Sequence, residues 1–219
     1  MKVLVIASHP DDEVIGCGGT IAKYVDNGDD VYVYIIADGC SARYVDSTLR
    51  YNGCSADSEI KTRIDGAKKA ADILGIKELL ITNLKNQQLD TYPQLQINKS
   101  IEEKIDKINP DIVYTHTSND TNLDHRIVGE STLIAARKID TIILYEIIFS
   151  TTKLFSPNFF VDISNFYDKK LMAMKCYDGE IRKHSYKRTY EGIRAHSRAR
   201  GDMINKGLVE AFEIYKMIT

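Results

Sequence analysis

Two short stretches of the chain gather the side chains that could do chemistry. His9, Asp11, Asp12 and Glu13 crowd together near the start, and His116, Asp120, Asp124 and His125 form a second group further along. Carboxylates this close repel one another, and a fold seldom gathers them unless a cation neutralises their charge. Two imidazoles and one carboxylate with open coordination positions are the ligand set of catalytic zinc, where water occupies the remaining place. The same set is the facial triad of non-haem iron, so ligand type alone does not choose between Zn2+ and Fe2+. His9 and Asp12 stand three apart, which puts them on one side of a helical first turn. Asp11 then points elsewhere and reaches a water on the metal, the position of a general base. The plainer alternative for both stretches is a helix N-terminus, where aspartates favour the dipole and need no metal.

The surrounding elements must bring these stretches together. Val3 to Ala7 reads as a short buried strand of a parallel sheet. Apolar residues then recur at helical spacing from about Asp11 or Glu13 to Asp26, with Gly28 as a stop. His9 to Glu13 therefore lie where a strand ends and a helix begins, and in an open α/β sheet ligands bind at that end. Asp111 to His116 is a second strand of the same kind, with a polar mouth from Thr117 and a helix from about Asp124 to Lys138. Strands over Val31 to Ala37, Glu78 to Leu84 and Thr141 to Phe149 alternate with helices over Glu59 to Leu74 and Ile97 to Ile108. The polar loop from Asp38 to about Asp57 is long enough to be functional or mobile. This alternation predicts an α/β fold, a Rossmann-like doubly wound and mostly parallel sheet with helices on both faces. Beyond Ser150 the pattern predicts an edge strand over Phe159 to Ile163. Tyr167 to Cys176, Tyr190 to Asn205 and Val209 to Ile218 read as helices, a C-terminal helical extension. We read residues 1–219 as one domain, with a sheet core over about 1–150 and the extension over about 151–219 packed on it. In such a sheet the two polar mouths can face each other across the switch-point crevice.

Composition removes several other classes. The chain carries 29 Lys and Arg against 31 Asp and Glu, a formal net charge of -2, so no nucleic-acid partner is expected. Arg182 to Arg200 is locally basic; with His184 and His196 it reads as a solvated helix or as a grip on an anionic substrate. No stretch approaches the roughly 20 apolar residues of a membrane helix. Lys2 is followed by an apolar run of strand length only, so no transmembrane segment and no signal peptide are expected. Cys17, Cys40, Cys54 and Cys176 show neither metal-knuckle spacing nor a disulfide-dense pattern, which fits reduced thiols in a cytoplasmic protein. Gly16, Gly18 and Gly19 match neither the dinucleotide fingerprint nor the P-loop; they serve close helix–strand packing or backbone approach to a ligand.

The pentad His9-Pro10-Asp11-Asp12-Glu13, paired with the distal Asp124-His125-Arg126, resembles the PIG-L/LmbE-like de-N-acetylases, the N-acetylglucosaminyl deacetylases. The similarity covers nearly the whole chain. It includes the Arg63 helix that ends at Gly75, the strand from Pro110 to His116, and Pro157-Asn158 with Val161-Asp162-Ile163. The tail, Arg200-Gly201 with Val209 to Glu213, is similar as well. The resemblance implies that His9, Asp12 and His125 ligate zinc, with Fe2+ as the alternative ion, and that Asp11 is the general base. It implies that Asp124 tunes the site from behind the ligands and that Arg63 grips the substrate with its guanidinium fork. His116 is a candidate substrate contact or a polar core or rim histidine, and Glu13 a dipole partner or structural acceptor. One departure concerns the second motif, where many members have a histidine at the position of Asn122. That histidine is credited with polarising the carbonyl; Asn122 can donate a hydrogen bond to an oxyanion but cannot deliver a proton. Asp11 would then be the acid for the leaving amine. A second departure is Lys85-Asn86, where relatives often have Pro-Asp.

The function implied is metal-dependent hydrolysis of the N-acetyl group of an N-acetylglucosamine-like amino sugar, giving free amine and acetate. Its aglycone would be a glycoside, nucleotide, lipid or malate. The partner expected is that small molecule, with homo-oligomers of the chain left open. The competing reading is a non-catalytic nucleotide- or sugar-binding Rossmann-like module, which the missing glycine fingerprint opposes. An iron oxygenase would use the same triad on a β-sandwich, which the strand–helix alternation opposes.

Overall fold

A computed structural model describes residues 1–44, 55–181 and 189–218. Cys54, His184 and parts of the 38–57 loop and the 182–200 basic stretch lie outside the described residues. Seven strands form one sheet in the order β3-β2-β1-β4-β5-β7-β6. They are β1 (Lys2–Ala7), β2 (Asp30–Ala37), β3 (Glu78–Leu84), β4 (Ile112–His116), β5 (Thr141–Tyr145), β6 (Phe159–Asp162) and β7 (Val209–Met217). The first five are parallel, and β7 runs antiparallel to both β5 and β6. The helices are α1 (Asp12–Asp26), α2 (Ala56–Leu74), α3 (Gln94–Ile108), α4 (Leu123–Ala135), α5 (Tyr167–Lys175) and α6 (Tyr190–Asp202).

The period-two pleat of β1 explains the layering. Val3, Val5 and Ala7 join one core with Val14 and Ile21 of α1, Ala70 and Leu74 of α2, and Ala173 of α5. Leu4 and Ile6 join the opposite core with Ile97, Ile101 and Ile105 of α3 and Val128 of α4. A strand buried on both faces reads as a continuous apolar run, which is why Val3 to Ala7 was legible. The glycines of α1 serve packing: a Cβ on Gly16 would stand 2.4 Å from the Tyr145 ring, and one on Gly19 would stand 2.7 Å from Ile163. Among the described residues no helix is long and apolar enough to cross a membrane.

The C-terminal part departs from expectation at Val209 to Ile218, which is the strand β7 and not a helix. Val209, Ala211, Phe212, Tyr215 and Ile218 satisfy helical spacing, but pairing with β5 and β6 overrides that local preference. Val209 to Phe212 are buried on both faces because they lie inside the sheet. Glu210 is fixed by charge: it accepts from the Gly19 and Thr20 N–H groups at 2.9 and 2.7 Å and from Lys170 Nζ at 2.6 Å. β5 also ends at Tyr145, four residues earlier than expected, and the chain then turns across the mouth of the sheet.

Candidate metal centre

The neighbours β1 and β4 mark the point where strand order reverses, and both polar stretches emerge from their carboxyl ends. His9 and Asp11 belong to the turn between β1 and α1, and Asp12 is the first residue of α1. His125 belongs to the first turn of α4, whose N-terminus is capped by Asn122. Asp12 Oδ2 is the hub: it accepts the His9 N–H at 2.9 Å and lies 3.2 Å from His9 Nδ1 and 3.3 Å from His125 Nε2. One donor atom from each of His9, Asp12 and His125 lies within 4.8 Å of the others, and all three side chains are buried.

Each imidazole is held from behind by a carboxylate. His9 Nε2 stands 2.9 Å from Asp124 Oδ2, and His125 Nδ1 stands 3.0 Å from Asp120 Oδ2. A carboxylate that accepts from the far nitrogen fixes the tautomer and leaves the near nitrogen with a lone pair, the usual arrangement of metal-bound histidine. Electrostatics agree with a cation at this place. Burial disfavours a charged His125, yet Asp12 and Asp120 outweigh it and raise its pKa to about 10. Burial likewise pushes Asp12 up, but His125 drives it well below the usual carboxylate range. The donor set therefore fits a divalent ion.

Asp11 adopts φ 114°, a left-handed conformation that costs a non-glycine residue roughly 1–3 kcal/mol and is tolerated where its surroundings hold it. Its N–H donates to Glu13 Oε2 at 3.0 Å, and Glu13 Oε1 in turn accepts from Tyr177 Oη at 2.6 Å. Burial and then Asp11's charge lift the Glu13 carboxyl to about 7 despite the Tyr177 hydrogen bond. Arg63 reaches over from α2 to Pro10 O at 2.5 Å, to Asp11 Oδ2 at 3.4 Å and to Glu180. Gly39, at φ 76°, makes this possible, because a Cβ there would stand 2.8 Å from Arg63 Nη2. Asp11, Arg63, Gly39 and Glu180, with Asn122 and Phe149, wall an open cavity of about 370 Å³, within the range of small-molecule sites.

The structure gathers His9, Asp11, Asp12, Arg63, Asn122 and His125 at this cavity and places two other expected site residues behind it. Asp124 is fully buried and accepts from the Gln87 and Leu89 N–H groups as well as facing His9. His116 requires correction as a substrate contact: it is buried and outside the cavity wall. Its Nε2 accepts the Ser8 N–H at 3.0 Å, and its ring stacks on His125 with centroids 4.3 Å apart. Burial and then His125 push its pKa well below the ordinary value, which favours a neutral ring beneath His125. Sequence reasoning assigned no role to Glu180 or Gln87, and it placed Asp120 among the ligand types without a partner. The only signal for Asp120 was its position at the mouth of β4.

The chain is similar to known deacetylases. The family profile described as GlcNAc-PI de-N-acetylase, PIG-L, matches residues 4–136. The diacetylchitobiose deacetylase of Thermococcus kodakarensis is 31% identical over 82% of this chain and 70% of its own length. A probable N-acetyl-alpha-D-glucosaminyl L-malate deacetylase 2 of Bacillus cereus is 25% identical over 78% of this chain and 80% of its own. The solved N,N'-diacetylchitobiose deacetylase of Pyrococcus horikoshii superposes with a TM-score of 0.82 at 25% identity, covering 98% of this chain and 84% of the other.

Proposed function

The chain belongs to the PIG-L family of de-N-acetylases, and from that premise we propose that it is a zinc-dependent hydrolase of N-acetylglucosamine-like amino sugars. The reaction splits the acetamide into a free amine and acetate. The observation that carries the reading is the convergence of His9, Asp12 and His125 with Asp11 beside them at the cavity. A zinc ion held by those three ligands would acidify a water molecule and polarise the acetyl carbonyl. Asp11 takes the proton from the attacking water and returns it to the departing nitrogen. Arg63 holds the Asp11 carboxylate while Glu180 holds Arg63. Asp124 and Asp120 keep the two imidazoles oriented. Asn122 donates a hydrogen bond to the oxygen on which negative charge develops. The whole of residues 1–219 acts as one unit, because β7 and β6 complete the sheet that carries the ligands.

The test is acetate release from a panel of N-acetyl sugars carrying free, glycosidic, nucleotide, lipid and malate substituents at the anomeric carbon. Protein stripped by a chelator is assayed with zinc or iron restored. Acetate from at least one member, dependent on added metal, is expected. A fully metallated protein that binds these sugars and releases no acetate would instead be a binding module.

A further inference from the structure

Resting on that reading, we propose that Gln87 is a positioning residue that locks the Asn122 carboxamide with its Nδ2 donor turned toward the acetyl carbonyl. An asparagine at the oxyanion position is ambiguous, because rotation by half a turn would present Oδ1 to the developing negative charge and oppose the reaction. Two contacts remove the ambiguity. Asn122 Oδ1 accepts the Asp124 N–H at 3.0 Å, and a backbone N–H can face only an acceptor, so this atom is the oxygen. The same oxygen stands 2.9 Å from Gln87 Nε2, which must therefore be a donor. With Oδ1 held twice, Nδ2 is the free end of the amide. Among the described residues it meets no acceptor, and Asn122 lies in the cavity wall with His125 and Asp11.

Gln87 is built for this task at some cost. It sits at φ 57°, in the left-handed region that glycine or asparagine normally fills. Its N–H donates to Asp124 Oδ2 at 2.7 Å, the oxygen that faces His9 Nε2. One residue of the β3–α3 loop thus ties the carboxylate behind His9 with its backbone and the oxyanion donor with its side chain. A glycine would adopt the backbone with less strain but would lose the amide, which separates folding from positioning.

The experiment is a comparison of Gln87→Gly, Gln87→Ala and Gln87→Glu with Asn122→Ala and the double variants. The substrate is whichever N-acetyl sugar the wild-type zinc enzyme deacetylates. We expect Gln87→Gly to keep or raise the melting temperature while kcat falls roughly 2- to 12-fold at nearly constant KM, since one neutral hydrogen bond is lost. Gln87→Glu, which cannot donate when ionised, should fall at least as far. Binding of a tetrahedral phosphonamidate analogue of the sugar, measured by calorimetry, should weaken by the same factor. In the Asn122→Ala background the Gln87 substitutions should change neither number, because the group they orient is gone. Losses that multiply in the double variants, or a raised KM at unchanged kcat, overturn the proposal and make Gln87 a substrate contact or a scaffold residue. A wild-type zinc protein that releases no acetate overturns the deacetylase reading itself, a result distinct from an active enzyme indifferent to Gln87.

Discussion

Replacing Asp120 by asparagine removes one acceptor from a carboxylate that uses both oxygens. Oδ1 accepts the Asn122 N–H at 2.8 Å, at the start of α4. Oδ2 lies 3.0 Å from His125 Nδ1 and accepts from Ser150 Oγ at 2.9 Å. An asparagine offers one acceptor oxygen and an amide donor in place of two acceptors. The Asn122 N–H is backbone and cannot turn away, so the amide nitrogen faces His125, donor against donor. His125 then either loses its orienting bond or shifts its proton to Nε2, where the lone pair for a metal is needed. A hydrogen bond to a charged group is worth about 1.5–3 kcal/mol. At about 1.4 kcal/mol per decade this is a factor of roughly 10–150 in affinity. That range brackets the 10–100-fold typical of carboxylates that orient metal-bound histidine. Zinc affinity measured by competition with a chromophoric chelator at neutral pH reads the effect directly, with circular dichroism as the check on folding. A zinc affinity and acetate release indistinguishable from wild type would refute the claim that Asp120 holds His125 for the metal.

Other substitutions separate the remaining roles. Asp11→Asn should lower acetate release by roughly 10²- to 10⁴-fold while leaving zinc stoichiometry intact, as steady-state kinetics with elemental analysis will record; near-normal turnover removes the base assignment. Glu180 titrates far below its ordinary range: burial raises its pKa, but Arg63 and Arg43 outweigh that and bring it from 4.5 to about 2. Because the folded value lies below the unfolded one, its contribution is full above pH 4.5 and is lost as pH falls toward about 2. Thermal melts across that window should show wild type losing about 3 kcal/mol more than Glu180→Gln; parallel curves contradict this. Glu210→Ala leaves the buried Lys170 ammonium without its carboxylate, with the Ile15 carbonyl as its remaining acceptor, which should cost about 3–5 kcal/mol in denaturant unfolding. A loss under about 1 kcal/mol, the scale of exposed pairs, speaks against a buried clamp.

The parts of the fold that the sequence made legible are those where local pattern and tertiary position agree. β1 and β2 are buried on both faces and read as apolar runs, while α2 carries apolar spacing and a glycine stop at φ 81°. β7 failed because its pattern is compatible with two periods, and its neighbours, which decide between them, lie 47 to 76 residues away in the chain. His116 was open between a substrate contact and a polar core or rim residue, and its surroundings fit the core. It shares the pleat of Tyr114, two residues earlier, and that face of β4 points into the packed core beneath His125. Its place at a strand end suggested the cavity, but its parity assigned it to the floor.

The site shows the same division. Ligand types adjacent in sequence, such as His9 with Asp12 and Asp124 with His125, declare themselves by spacing. Asp120, Glu13 and Glu180 act on the far side of a partner, on His125 Nδ1, on the Asp11 N–H and on two guanidiniums, and a sequence shows an acid without showing what it faces. What unites both groups is charge. Asp11, Asp12, Glu13, Asp120 and Asp124 crowd the sheet mouth, whereas the fixed cations of the wall, Arg63 and Arg43, are shared with Glu180. His125 answers by holding a proton up to a pKa of about 10, against the penalty of burial. A proton there does neutralising work that a divalent ion would do better, because the ion could engage Asp12 and both neutral imidazoles together. Metal uptake must then expel that proton, so zinc affinity rises with pH through the neutral range and protons appear in solution as the site fills.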